Sequence, residues 1–273
     1  SILAYEPLWA STQAYLQPML HSCPNLRSLN LFLDERHSKE LSGFLTSEEC
    51  GLTSLIVSFK GRTSAEPFLK TLKHASTLET LSIKLTVSSA MMKEHSTREV
   101  LADYLQSNGA LSSFALSMPY RKGIDIDLSQ FATALRENTT LTDLTLTGCV
   151  NDDTALEFAN TLRVNTTLIS LSLSHLIKDS GAMAIIEAFE GTGALCQKLD
   201  LKKENPFINI NVAYRLAELL SASKKRKREE HQHVKENAVI KAQIEDKKVV
   251  EEKVTRKVDV ELNSKQPKST NKE

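Results

Sequence analysis

The strongest constraint in this chain is a phrase that occurs twice. Asn138-Thr139-Thr140-Leu141-Thr142-Asp143-Leu144-Thr145-Leu146 returns as Asn165-Thr166-Thr167-Leu168-Ile169-Ser170-Leu171-Ser172-Leu173. A segment of helical spacing lies between the two. Leu at the first, fourth and sixth places of an LxxLxL frame, recurring at such an interval, marks an array whose single units cannot bury their own apolar surface.

The frame runs along most of the chain. It fits Leu26-Leu29-Leu31, Leu52-Leu55-Val57, Leu78-Leu81-Ile83, Leu111-Phe114-Leu116, Leu141-Leu144-Leu146 and Leu168-Leu171-Leu173. A seventh copy, Leu195, Leu199 and Leu201, carries one extra residue, which predicts a bulge or loosened turn. First positions lie 26, 26, 33, 30, 27 and 27 residues apart, a regularity that random Leu placement does not give. Because side chains on a strand alternate, the fourth and sixth places share one face of a short strand.

Helical spacing follows each strand. Val100, Leu101, Tyr104 and Leu105 form one stripe, and Leu128, Phe131 and Leu135 another. Ala155, Phe158, Ala159 and Leu162 form a third, and Ala182, Ile185, Ile186 and Phe189 a fourth. Asn108, Asn138 and Asn165 each stand three residues before a first Leu. Asn tolerates left-handed backbone, so the expected role is a left-handed C-cap. Stacked units then give a parallel sheet with helices outside it. Helices are about 10 Å wide and strands about 4.8 Å apart, so the stack should curve with its sheet on the concave side.

The ends differ from the middle. Leu8, Trp9, Leu16, Met19 and Leu20 predict a first helix with no complete strand before it, and Val212, Leu216, Leu219 and Leu220 predict a closing helix. One repeat length before Leu26 falls at the start of the chain, and there is no initiator Met; a piece of a longer protein or a processed chain is expected. From Ser221 onward there is no aromatic residue and no Gly. The expected division is a repeat domain over 1–221 and a charged tail over 222–273 that is disordered or transiently helical. Val250, Val254, Val258 and Leu262, at i+4 spacing, leave a partner-docking helix as the alternative for the tail.

Composition narrows the function classes. The formal net charge of +0 conceals a basic tail, in which residues 224–273 hold 15 Lys+Arg and 10 Asp+Glu, and a mildly acidic body. Neither part has the one-signed field expected of a nucleic-acid partner. No apolar run approaches the ~20 residues that cross a bilayer, so no membrane association is expected. Cys23, Cys50, Cys149 and Cys196 are far apart and predict buried thiols in a reducing compartment, not a disulfide frame or zinc site. An intracellular, cytoplasmic monomer is the expectation.

The leucine frame, the repeated NTTL and Asp179-Ser180-Gly181-Ala182-Met183-Ala184 ahead of a helix resemble the ribonuclease-inhibitor-like class of leucine-rich repeats. That class is also found in NOD-like receptors and the Ran GTPase-activating protein family. The resemblance covers residues 8–220 or so and implies an α/β fold: a right-handed leucine-rich-repeat solenoid, or horseshoe, of about seven strand–helix repeats. The class places Asn or Cys three residues after the third Leu. Here only Cys149 does so, and Asp34, Lys60, Thr86, Pro119, Leu176 and Glu204 stand at the other equivalents.

Catalytic wording is missing. There is no Ser/His/Asp set, nucleophile elbow, Walker loop or HExxH. His231 and His233 have no third ligand near them, and Asn138 and Asn165 sit in sequons better explained as caps. No enzyme activity, cofactor or metal is expected. The outward columns of the strands are mostly Ser and Thr, with few of the Trp, Tyr and Arg that anchor interfaces. The exceptions are Phe32, Ile56, Lys84, Asp143, Lys198, Asp200 and Lys202, the candidate protein-binding residues. Lys224, Lys225, Arg226, Lys227 and Arg228 match a basic nuclear-import signal, the alternative being a solvated charge run that complements a helix C-terminus.

The function expected is a leucine-rich-repeat protein-interaction scaffold, the repeat domain of a larger protein or a bacterial effector. Through the resemblance, a Ran-type GTPase activator and the substrate-recognition part of a ubiquitin ligase are the alternatives.

Overall fold

The computed structural model describes residues 2–4, 16–23, 25–48, 50–59, 66–85, 95–119, 127–191, 198–201, 205, 207–222, 225 and 232. The chain divides into two units, Ser1–Ser221 and Ala222–Glu273. The first holds an eight-stranded sheet whose strands follow chain order: β1 (Ile2–Ala4), β2 (Ser28–Leu33), β3 (Ser54–Phe59), β4 (Thr80–Leu85), β5 (Ser113–Ser117), β6 (Asp143–Asn151), β7 (Ser170–Leu176) and β8 (Lys198–Asp200). Every pairing is parallel. Between them lie α1 (Leu16–Ser22), α2 (Glu35–Leu45), α3 (Glu66–Leu72), α4 (His95–Ser107), α5 (Ser129–Glu137), α6 (Asp152–Leu162) and α7 (Asp179–Gly191). Residues 210–222 form a further helix.

The leucine frame sets the register. Leu29, Leu55, Leu81, Phe114, Leu144, Leu171 and Leu199 pair in one unbroken row, and all are buried. Val57, Ile83, Leu116, Leu146 and Leu173 form the parallel row two residues on. Each helix closes over these rows with its own stripe, so Phe131, Leu135, Phe158, Leu162, Ile185 and Phe189 join the same core. Full burial of each such side chain contributes about 1.5–3 kcal/mol. Neighbouring helices also pack on one another along the array, as stacking of incomplete units requires.

Three sets of hydrogen bonds tie successive units together. At the entry to β3, β4, β5, β6 and β7 two consecutive amides share one carbonyl of the preceding unit. Thr53 and Ser54 donate to Arg27 O, Glu79 and Thr80 to Thr53 O, Ser112 and Ser113 to Glu79 O, Thr142 and Asp143 to Ser112 O, and Ile169 and Ser170 to Thr142 O. The Thr53, Ser112 and Thr142 hydroxyls add a third donor to the same carbonyls at 3.2, 3.0 and 3.0 Å.

The second set runs through the asparagines. Asn138 is the C-cap of α5, as the sequence predicts, its N–H donating to Ala134 O at 3.1 Å, but its backbone is extended, with φ −70° and ψ 129°, and not left-handed. Its side chain makes the contacts instead. Oδ1 accepts from Thr140 N at 3.0 Å and Leu141 N at 2.7 Å, and Nδ2 donates to Leu105 O of the preceding unit at 2.5 Å. Asn165 repeats this with Thr167 N, Leu168 N and Leu135 O, and also reaches Asn138 O at 3.2 Å. An amide side chain both donates and accepts, so it satisfies turn amides and a neighbour's carbonyl together. That two-sided demand selects Asn here without positive φ.

The third set lies at the helix starts. Within their own units, Asp34 caps α2 through His37 N at 2.9 Å and Asn151 caps α6 through Thr154 N at 2.8 Å; the ties to the next unit come from the two aspartates that follow. Asp152 reaches forward to α7, accepting from Lys178 N at 3.0 Å, Gly181 N at 2.9 Å and the Ser180 hydroxyl. Asp179 in turn accepts from Asn209 N at 2.8 Å and from Asn209 Nδ2. Gly181 is required by this approach, since a Cβ there would lie 2.5 Å from Asp152 Oδ1 and 2.8 Å from Ala155 Cβ.

Two local features depart from the sequence expectations. A short strand, β1, precedes the first expected repeat and pairs Ile2–Ala4 with Ser28–Asn30. A bulge that the leucine frame does not predict falls in β6, where the register against β7 shifts between Thr147 and Val150 around Gly148 at φ 81°. Glycine is suited to that conformation because it has no Cβ to clash. The bulge expected between Leu195 and Leu199 falls on residues largely outside those described, as do Leu8 and Trp9 of the expected first helix. The closing helix is present, with Val212 and Leu216 buried.

Candidate protein-binding face

Places three, five and seven of each unit alternate away from the core rows. The pairing lays them out as columns: Ser28, Ser54, Thr80, Ser113, Asp143, Ser170, Lys198; then Asn30, Ile56, Ser82, Ala115, Thr145, Ser172, Asp200; then Phe32, Ser58, Lys84, Ser117, Thr147, Ser174. Neighbours within a column stand about 4.8 Å apart.

Phe32 is 55% exposed, a large aromatic surface left in water. Ile56 pairs with Asn30, two residues before Phe32, and is half-buried. This diagonal relation puts the two side chains within ~8 Å, near enough to form one apolar patch. Lys84 is exposed and lies two strands along in the Phe32 column, about 10 Å away. Asp143 and Lys198 are exposed and share the first column, with Ser170 between them, while Asp200 is half-buried in the second. The Asp143 carboxylate accepts from the Thr142 hydroxyl at 2.9 Å. The predicted residues therefore form two groups, an apolar and basic one on β2–β4 and a charged one on β6–β8. Lys202 lies outside the described residues, as do Lys224, Arg226, Lys227 and Arg228; Lys225 is exposed.

Two members of the outward columns are not outward. Ser58 is 5% exposed and Ser174 is 3% exposed. A strand period assigns a face but not what covers it. Phe32 and Lys84 stand in the same column and are exposed.

Other surface features were not among the sequence candidates. Arg27, Thr53, Thr77, Glu79, Ala110 and Ser112 line a shallow, open groove at the strand entries, and Arg27 Nη1 donates to Gly51 O at 2.7 Å. Phe207, Ile210 and Tyr214 are exposed apolar side chains around the 210–222 helix. The signal for the last two was available, since they fall opposite Val212 and Leu216 on a helix of 3.6 residues per turn.

Among the described residues, chemically reactive groups do not gather at one place. Burial pushes the Cys50 thiol and the Tyr104 hydroxyl above their ordinary ranges, so neither is poised for proton transfer near neutrality. Among the described residues no cluster of three His, Cys, Asp or Glu side chains is arranged to hold a metal, and no helix is long and apolar enough to cross a membrane.

A parallel α/β array repeated in this way is compatible with a leucine-rich-repeat fold. No protein-family model matches the sequence, and a search of curated proteins gives no match. Among solved structures, the chain is similar to a structure titled Leiomodin-1 Actin-Binding Site 2 (ABS2), at 16% identity and a TM-score of 0.38, over 85% of this chain and 99% of that one. A likeness of that size bears on neither the fold nor the binding of this chain.

Proposed function

We propose that the repeat unit is a non-enzymatic protein-binding module that uses the outward face of its sheet. The observation that carries this reading is the placement of Phe32 beside Ile56 on a face built of in-register strands. An exposed aromatic on a rigid, preordered surface supplies contact area at little conformational cost. The hydroxyl-rich columns around it suit the polar rim of such an interface. We also propose that the stack is right-handed and curved, with this face concave, because outer helices need more room than inner strands. Anchor residues on a concave sheet approach a convex partner from several strands together.

The test is capture of a binding partner from cell extract by the whole chain, followed by measurement of its affinity for wild type and for Phe32→Ala/Ile56→Ala. Loss of binding with an unchanged far-ultraviolet spectrum supports the reading. Equal affinity removes the sheet face from the account.

A further inference from the structure

We propose that Asn108-Gly109 is a site of spontaneous covalent modification, at which the asparagine converts to aspartate and isoaspartate while its two equivalents in the array stay intact. This does not depend on the binding reading.

Three asparagines occupy the same place in successive units. In each, two backbone N–H groups point at the side-chain oxygen: Ala110 N at 2.8 Å and Leu111 N at 2.7 Å for Asn108, and the corresponding pairs for Asn138 and Asn165. In the reaction the Gly109 nitrogen, having lost its proton to hydroxide, bonds to Asn108 Cγ. Negative charge develops on Oδ1, where the two amides already aim, so they stabilise the tetrahedral species as oxyanion donors do. Nδ2 takes a proton from water and leaves as ammonia, closing a five-membered imide. Water then adds at one of the two imide carbonyls and breaks its bond to nitrogen. One product carries an ordinary aspartate in place of the asparagine; the other is an isoaspartate in which the main chain runs through the side-chain carbon. The only co-reactant is water.

What separates the sites is the next residue, the leaving group and access. Gly109 is exposed, its N–H has no hydrogen-bond partner among the described residues, and the space around a Cβ there is empty. Without a side chain its nitrogen can approach Cγ with least steric hindrance. Asn138 and Asn165 are followed by Thr139 and Thr166, whose β-branching crowds the attacking nitrogen. Their Nδ2 groups are held by Leu105 O and Leu135 O at 2.5 and 2.6 Å, and the residues are 3% and 8% exposed. Asn108 is half-buried, and its Nδ2 has no such acceptor among the described residues. The aspartate product can still accept from Ala110 N and Leu111 N. Isoaspartate adds a backbone atom and breaks that turn at the entrance to β5.

The experiment incubates the folded whole chain in mildly alkaline buffer, digests it under acid conditions and follows the peptides holding Asn108, Asn138 and Asn165 by chromatography and mass spectrometry. Two later-resolved products of the Asn108 peptide, each heavier by the exchange of an amide for a hydroxyl, are expected. Conversion there should exceed that at Asn138 or Asn165 by about tenfold or more, and Gly109→Ala should slow it by a similar factor. Gly109→Ala meets no atom on folding, so its circular dichroism should match wild type. Equal conversion at the three asparagines in the folded chain, or an unchanged rate in Gly109→Ala, would overturn the proposal.

Discussion

Replacing Asn138 by Ala tests the inter-unit ladder directly. The residue is 3% exposed, and its side chain accepts from Thr140 N and Leu141 N and donates to Leu105 O. Leu141 and Leu105 are themselves fully buried, so water cannot replace the Leu141 and Leu105 partners cheaply. A made hydrogen bond contributes about 1 kcal/mol net, while a buried group left without a partner costs about 1–3 kcal/mol. Two buried groups and one partly wet amide give an expected loss of ~2–4 kcal/mol. Asn108→Ala removes two side-chain bonds within a half-buried turn and none between units, so it should cost ~1 kcal/mol. Urea unfolding reads both. The midpoint should fall further for Asn138→Ala than for Asn108→Ala, at an unchanged slope. An Asn138→Ala midpoint equal to that of wild type would refute the claim that these side chains couple the units.

The core rows and helix contacts allow further expectations. Leu144→Ala should lower stability by ~2–5 kcal/mol as a cavity in the shared core, whereas Thr145→Ala, one residue on and facing outward, should stay within ~0.5 kcal/mol of wild type. Denaturant midpoints distinguish them. Gly181→Ala should cost ~1–3 kcal/mol by overpacking, because Asp152 Oδ1 and Ala155 Cβ stand where the new methyl must go. A thermal melt that matches wild type would contradict that contact.

Which parts were legible in the sequence follows from their range. The strands were readable because a period of two and a nearly constant spacing act within one unit, and Leu29, Leu81 or Leu171 needs only its own strand to be assigned a face. The helix stripes were readable for the same reason. The C-cap position of Asn138 was legible, but its extended backbone and its tie to the preceding unit were not, because that tie is set by Leu105 in another unit. Asp152 is similar: alone it looks like an ordinary first-turn acid, and only stacking brings it to Gly181 and Lys178. The β6 bulge is invisible to the leucine frame, since the LxxLxL of that unit is intact and the extra residues lie beyond it. At the candidate face, Phe32, Lys84 and Asp143 were identifiable as outward by alternation. Ser58 and Ser174 were not identifiable as covered, because alternation treats them like Phe32 and Lys84, which share their column and are exposed.

The measurement that bears most directly on the central claim is the affinity of a captured partner for wild type, Phe32→Ala/Ile56→Ala and Thr145→Ala, all folded. The account predicts that the double replacement weakens binding by at least about tenfold, ~1.4 kcal/mol, and that Thr145→Ala leaves it nearly unchanged. Undiminished affinity in the Phe32/Ile56 variant would contradict it.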